Sequence, residues 1–309
     1  MVLTRRTIWI LGIIGLVILY LVCTPHIMTF RTSDDDMKEY FESKEVDSKI
    51  ITTEVDGVPI RIIETGNKRG EALVLIHGSP GSSDAFKEYL ADPLLTKRYH
   101  MFAVDRPGFG GSDFGTAYSV KQQVNIIAQV VRDNSEPGKV TLMGHSLGGS
   151  IAAYVAGQMP EYVERVIIVA GALDPSAEVP ALWRRVIAAP VVRGLLPLSL
   201  RISNRELMKF QSEVGDLALL LQNIKGHVDV VHAEDDSLVP YSNVAYMKTA
   251  FTNAMDVHVT TFPSGDHFVL WNRFDVIRNR VVDQDDHDER EEDASPVQEE
   301  VQRYYNSDI

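Results

Sequence analysis

The sequence predicts an α/β fold: an eight-stranded, mostly parallel sheet flanked by helices, with a helical insertion after the sixth strand. Three observations carry that prediction. Short apolar, β-branched runs alternate with stretches of helical spacing, the pattern of parallel strands joined by right-handed crossovers. An Asp56-Gly57 pair between two β-rich runs opens the series with a hairpin signal. One interval, 172–226, is too long for a single crossover helix and holds several helical stretches of its own.

The chain begins with Arg5 and Arg6 ahead of the uncharged run TIWILGIIGLVILYLVC. As a helix rising about 1.5 Å per residue, that run approaches the thickness of a bilayer core. No A-x-A cleavage site follows it, and Leu21 and Val22 stand before Cys23 where a lipoprotein signal needs a small residue. The expectation is therefore an uncleaved transmembrane signal-anchor over 7–24. The arginines before it and Asp34-Asp35-Asp36 after it predict a cytoplasmic N-terminus at 1–6 and a body on the extracytoplasmic side. Residues 25–48 read as a juxtamembrane spacer, with the charged stretch 34–47 solvated.

Strands are expected at 50–55, 58–64, 72–76, 99–104, 140–143, 165–170, 228–232 and 257–262. Helical spacing appears at 85–95, at 119–134 and after Gly148, and within the insertion at 181–188, 190–196 and 205–223. These divide the body into a core in two parts, 49–171 and 227–282, around a helical lid at 172–226. Trp183, Val191, Val192, Leu195, Leu196, Leu198, Phe210, Leu217 and 219–221 give that lid apolar surface, part of it packing on the body and part suited to an apolar channel. The formal charge is −13, but 283–309 holds eleven acidic residues against Arg290 and Arg303, leaving −4 for the rest. That acidic tail has no apolar periodicity and is expected to be disordered. No basic stripe marks the body, which argues against nucleic acid. The single cysteine, Cys23, excludes an intrachain disulfide and a cysteine-rich metal site. No metal cluster or nucleotide-binding loop appears, so no cofactor is expected.

The chemistry concentrates at KVTLMGHSLGGSIA, 139–152. A strand run, Gly144-His145-Ser146-Leu147-Gly148 and a run of small helix-compatible residues spell strand, sharp turn, helix. A serine at such a tip needs small residues two before and two after it, and the following helix aims its free N–H groups at whatever the hydroxyl attacks. A hydroxyl requires a base, and His267, in Ser264-Gly265-Asp266-His267-Phe268 after the last strand, lies at the same carboxyl edge of a parallel sheet. His26, His100, His232, His258 and His287 read as structural or remote. The acid that orients the imidazole is expected at Asp236, with Glu234 or Asp235 as neighbours able to replace it and Asp174 as the alternative acid after the preceding strand. Backbone N–H groups of Ser79 and Leu147 are the candidate oxyanion hole, since Pro80 has none to give.

Over 50–282 these motifs resemble the α/β-hydrolase superfamily: the HGxPG loop at 77–81, the DRPGxGxS loop at 105–112, the GxSxG elbow, and the D-x-x-V-P and G-x-H segments. The resemblance implies the α/β-hydrolase fold and a serine hydrolase working through an acyl-enzyme on a carboxylic ester, lipid-derived or otherwise lipophilic. Relatives that open epoxides or remove halides carry aspartate at the elbow, and prolyl aminopeptidases usually read GxSWG there, where this chain has Leu147. Prolyl-aminopeptidase-like and C–C bond hydrolases remain alternatives, as does a non-catalytic ligand-binding protein on the same fold. Implied partners are a small-molecule or lipid ester and, through the N-terminal helix, the membrane; nothing in the sequence sets the oligomeric state.

Overall fold

The computed structural model describes residues 29–283, together with Trp9, Gly12 and Gly15. Eight strands form one sheet: β1 Ser48–Val55, β2 Val58–Gly66, β3 Glu71–Ile76, β4 Tyr99–Val104, β5 Val140–His145, β6 Val163–Val169, β7 His227–Ala233 and β8 Asp256–Phe262. Their order is β1-β2-β4-β3-β5-β6-β7-β8. The β1/β2 and β2/β4 pairs are antiparallel, and every pair from β4/β3 onward is parallel. The opening hairpin closes through Asp56 (φ 51°) and Gly57 (φ 77°), the two left-handed positions a tight two-residue turn requires.

The helices are α1 Asp34–Ser43, α2 Lys87–Leu90, α3 Pro93–Arg98, α4 Val120–Asn134, α5 Leu147–Gln158, α6 Leu182–Ala188, α7 Pro190–Gly194, α8 Leu198–Leu217, α9 Ser242–Ala250, α10 Val269–Asn272 and α11 Phe274–Val282. Apolar residues on the two faces of the sheet pack against these helices in two clusters. One is built on β-strand residues such as Val74, Leu142 and Ile168 with α4 and α5, the other on Leu73, Met143 and Ile167 with Tyr89 and α11. Successive strand residues point to opposite faces, which is why Leu73 and Val74 fall in different clusters. Helix α5 is buried nearly all round, because it crosses the middle of the sheet beneath the inserted segment.

Several expectations require correction. No helix among the described residues is long and apolar enough to cross a membrane. The transmembrane signal-anchor, the membrane as partner and the localisation drawn from them are therefore withdrawn. Apart from Trp9, Gly12 and Gly15, the stretch 7–24 lies outside the described residues, as does the acidic tail beyond Asp283. The 34–47 stretch is not a free spacer: α1 buries Met37 and Phe41, one helical turn apart, in the second core cluster. The helix expected at 85–95 is interrupted at Asp92, because a residue before proline resists the α conformation. Asp92 instead caps α3 through Leu94 and Leu95 N–H. In the insertion the long helix starts earlier than expected, at Leu198 directly after the extended Pro197.

Candidate active site

The elbow at Ser146 is strained. Its φ of 56° and ψ of −127° lie where a non-glycine residue pays for its Cβ. The turn is equally tight. A Cβ at position 144 would fall 2.1 Å from Gly148 O, and one at position 148 would fall 2.2 Å from Ile76 O. Ser146 N–H donates to Val169 O at 2.8 Å, tying the strained residue to the end of β6. Its side chain stays half-exposed, above the carboxyl edge of the sheet.

The loops after β7 and β8 meet there. His267, in a 3₁₀ turn at Asp266–Phe268, places Nδ1 2.8 Å from Asp236 Oδ2. The other oxygen, Asp236 Oδ1, accepts from Leu238 N–H (2.9 Å) and Val239 N–H (2.8 Å). Burial pushes the Asp236 carboxyl upward, but the hydrogen bonds from His267 and from those two amides outweigh it and hold the group below its ordinary value. An ionised Asp236 is placed to accept a proton on Nδ1, and Nε2 is then the ring nitrogen that does not face the carboxylate. The neighbours take other duties. Asp235 accepts from Asp266 N–H and Gly265 N–H, stitching the two loops together, while Glu234 is exposed. Asp174 caps its own turn, accepting from Ser176 N–H and Oγ, and has no hydrogen bond to His267 among the described residues.

Ser146 and His267 meet as walls of two adjoining cavities, and no hydrogen bond joins them among the described residues. The first cavity, about 270 Å³, is bordered in the inserted segment by residues 177–181, Arg184, Leu207 and Phe210. The second, about 460 Å³, runs the other way past the 77–82 loop to Phe268 and Trp271. Ser79 and Leu238 border both. Leu147 opens α5, where its N–H has no intrahelical acceptor, and Ser79 N–H donates to no backbone group among the described residues.

Three side chains that sequence reasoning passed over fix this arrangement. His77, fully buried, accepts Arg106 N–H on Nε2 (2.9 Å) and lies with Nδ1 2.8 Å from Gly78 O, so a neutral ring holds the loop that carries Ser79. Burial, with the Arg106 charge behind it, drives its pKa well below the ordinary histidine value. His145 sits with Nε2 3.0 Å from His267 O, an N–H donation that pins the backbone of the candidate base. Burial, then the His267 ring, pushes its pKa down to about 3. Arg106 crosses from the 105–112 loop to Glu206 of α8 (2.7 Å), to Gln123 (2.6 Å) and to Gly78 O (3.0 Å), and so bolts the insertion to the core. A histidine at the free position of GxSxG carries no signal of its own. Arg106 had one, standing in a recognisable loop, but its acceptor lies 100 residues away.

The class defined by this fold is the α/β-hydrolase fold, with its eight-stranded, mostly parallel sheet between helices. Residues 71–219 match a family model described as alpha/beta hydrolase fold. The chain is similar to a pimeloyl-[acyl-carrier protein] methyl ester esterase of Photobacterium profundum, 38% identical over 116 residues, covering 38% of this chain and 42% of that one. It is also similar to a 2-hydroxy-6-oxononadienedioate/2-hydroxy-6-oxononatrienedioate hydrolase of Burkholderia vietnamiensis, 32% identical over 142 residues, 43% of this chain and 48% of that one. The chain thus spans less than half the length of these curated relatives. Among solved structures, a bacterial membrane phospholipase A superposes with a TM-score of 0.60 at 19% identity, covering 90% of this chain and 97% of that one. A putative aryl esterase from Burkholderia cenocepacia gives 0.61 at 19% identity, covering 76% and 97%. At that identity the structures speak for the fold alone.

Proposed function

We propose that this protein is a serine hydrolase that cleaves a carboxylic ester of lipophilic character through an acyl-enzyme. The observation that carries the reading is the 2.8 Å contact between His267 Nδ1 and Asp236 Oδ2, in a cavity also walled by the strained Ser146. Esterase and hydrolase activities in the names of the partial relatives support it.

In this mechanism Ser146 Oγ adds to the ester carbonyl as its proton passes to His267 Nε2, and Asp236 stabilises the imidazolium that forms. The negative oxygen is taken by the N–H groups of Ser79 and Leu147. Collapse of the adduct expels the alkoxide, which takes the proton from His267 and leaves as the alcohol. Water then repeats the sequence on the acyl-serine and releases the acid. The role of 172–226 is that of a lid closing one side of the reacting centre. The apolar walls at Leu238, Phe268 and Trp271 favour an ester of an apolar group over an amino-acid amide.

Initial rates on 4-nitrophenyl esters of increasing acyl length, set beside a proline arylamide, test the reading. Turnover of the esters, lost in Ser146→Ala, is expected. Faster cleavage of the arylamide would replace the substrate class, and no turnover of either by folded protein would remove the enzyme reading.

A further inference from the structure

The segment just before α1 runs back over the active-site loop and is fastened at Phe30 and directly after it. Ser82 Oγ donates to Phe30 O. Asp84 Oδ2 accepts from Thr32 N–H at 2.6 Å and Thr32 Oγ1 at 2.8 Å. Arg31 then reaches Asp34 (2.5 Å), whose carboxylate also receives the buried Arg61 (2.8 Å). Arg61 in turn contacts Ser83 Oγ and Asp105, so the strap is tied into the core beneath the same loop that carries Ser79.

This fastening sets an aromatic ring at the catalytic cavity. Phe30 lines the 460 Å³ space together with Pro80, Ala85, Leu238, Phe268 and Trp271, and that space reaches Ser146 and His267. Phe30 is 40% exposed while it lines the cavity, so the residue borders both the cavity and water. Across from it, Trp271 Nε1 donates to Ala85 O at 3.0 Å and Phe268 stacks near Trp271, which keeps the opposite wall in place. At 30 the backbone is left-handed (φ 55°), a conformation an L-residue adopts only where its surroundings over-determine it.

We infer that Phe30 is a specificity-determining residue: it forms the outer wall of an apolar subsite for the aliphatic portion of the substrate, and the 29–34 strap exists as part of the active site. The inference rests on the hydrolase reading for its kinetic consequence, but the subsite itself is a binding surface that can be read without turnover. Because the ring borders water, its removal opens the wall rather than deepening the subsite. A long aliphatic group then loses contact, whereas a short one loses nothing.

The experiment compares wild type, Phe30→Ala, Phe30→Leu and Asp84→Ala. Ratios of kcat/KM for decanoyl over acetyl are measured on 4-nitrophenyl esters, and for decyl over ethyl on alkyl acetates. Calorimetry measures the binding of decan-2-one and butan-2-one, which are not hydrolysed. Phe30→Ala is expected to lower the long-to-short ratio in one ester series by about fivefold and to weaken decan-2-one binding by a similar factor, with butan-2-one unchanged. Phe30→Leu should recover most of the loss. Asp84→Ala, which frees Thr32 but keeps the ring, should shift selectivity in the same direction. If wild type turns over esters and Phe30→Ala leaves both ratios and ketone binding unchanged, the inference fails alone. If wild type is inert, the hydrolase reading fails and ketone binding still decides the subsite: weakened decan-2-one binding upholds it, unchanged binding overturns it.

Discussion

Strand β7 carries a carboxylate near each end, and the two sit in opposite circumstances. Asp229, near the start, is buried and receives Arg165 on one oxygen (2.6 Å) and Arg280 on the other (2.7 Å). Asp236, just past the end, is as buried but faces no fixed charge: His267 lies 2.8 Å and His232 3.5 Å from its Oδ2, and two backbone amides donate to its Oδ1. Burial pushes both carboxyls upward, and in both their partners win and hold them below the ordinary value. At Asp229 every partner is a fixed charge, so nothing there can move a proton. At Asp236 the partner is a ring whose second nitrogen remains free beside Ser146. The same residue type on one strand is a rivet at the amino edge of the sheet and a tuned group at the carboxyl edge, where loops rather than strands supply the neighbours.

Exchanging each for asparagine sharpens the contrast. Asp236→Asn is expected to lower kcat by about 10⁴-fold, since an amide no longer selects the Nδ1–H tautomer, with a change in the urea midpoint too small to account for it. Asp229→Asn should leave kcat of the folded protein near wild type while costing about 3 kcal/mol of stability, because the buried Arg165 and the half-buried Arg280 lose their counter-charge. A reversal of those two outcomes would break the comparison. Glu206→Gln comes next, with a loss of about 3 kcal/mol from stranding Arg106 and earlier proteolytic cleavage within 172–226. The smallest effect is on pH dependence. His145 stays neutral in the fold down to about pH 3, whereas the unfolded chain binds that proton near pH 6.5. The unfolded state therefore holds the extra proton across that window, and stability falls as pH falls through it. His145→Gln should flatten the fall of unfolding free energy below pH 6.5 by close to one proton, about 1.4 kcal/mol per pH unit, in urea melts.

Much of this was legible in the chain. The β-rich runs, the Asp56-Gly57 turn and the glycines around Ser146 report local backbone demands, and local demands are written locally. The choice between Asp236 and Asp174 was not, because both follow parallel strands at the same edge. Only the folded loops show that Asp174 caps Ser176 while Asp236 reaches His267. The 34–47 stretch misled through its charge: Met37 and Phe41 were a visible i, i+4 pair, but a solvated reading weighed seven acidic residues above that pair. The uncharged run at 7–23 met the length criterion for a span, yet no described helix does. Phe30 and the strap could not be read at all, since their partners Ser82 and Asp84 lie some fifty residues downstream.

The central claim is that folding makes one alcohol, Ser146, a nucleophile by giving it a base held by a carboxylate. Intact-mass measurement after exposure to a fluorophosphonate tests it most directly. The account predicts a single adduct that peptide mapping assigns to Ser146, absent in Ser146→Ala and formed far more slowly in His267→Gln. Folded wild type that stays unmodified, or an adduct on any other residue, would contradict it.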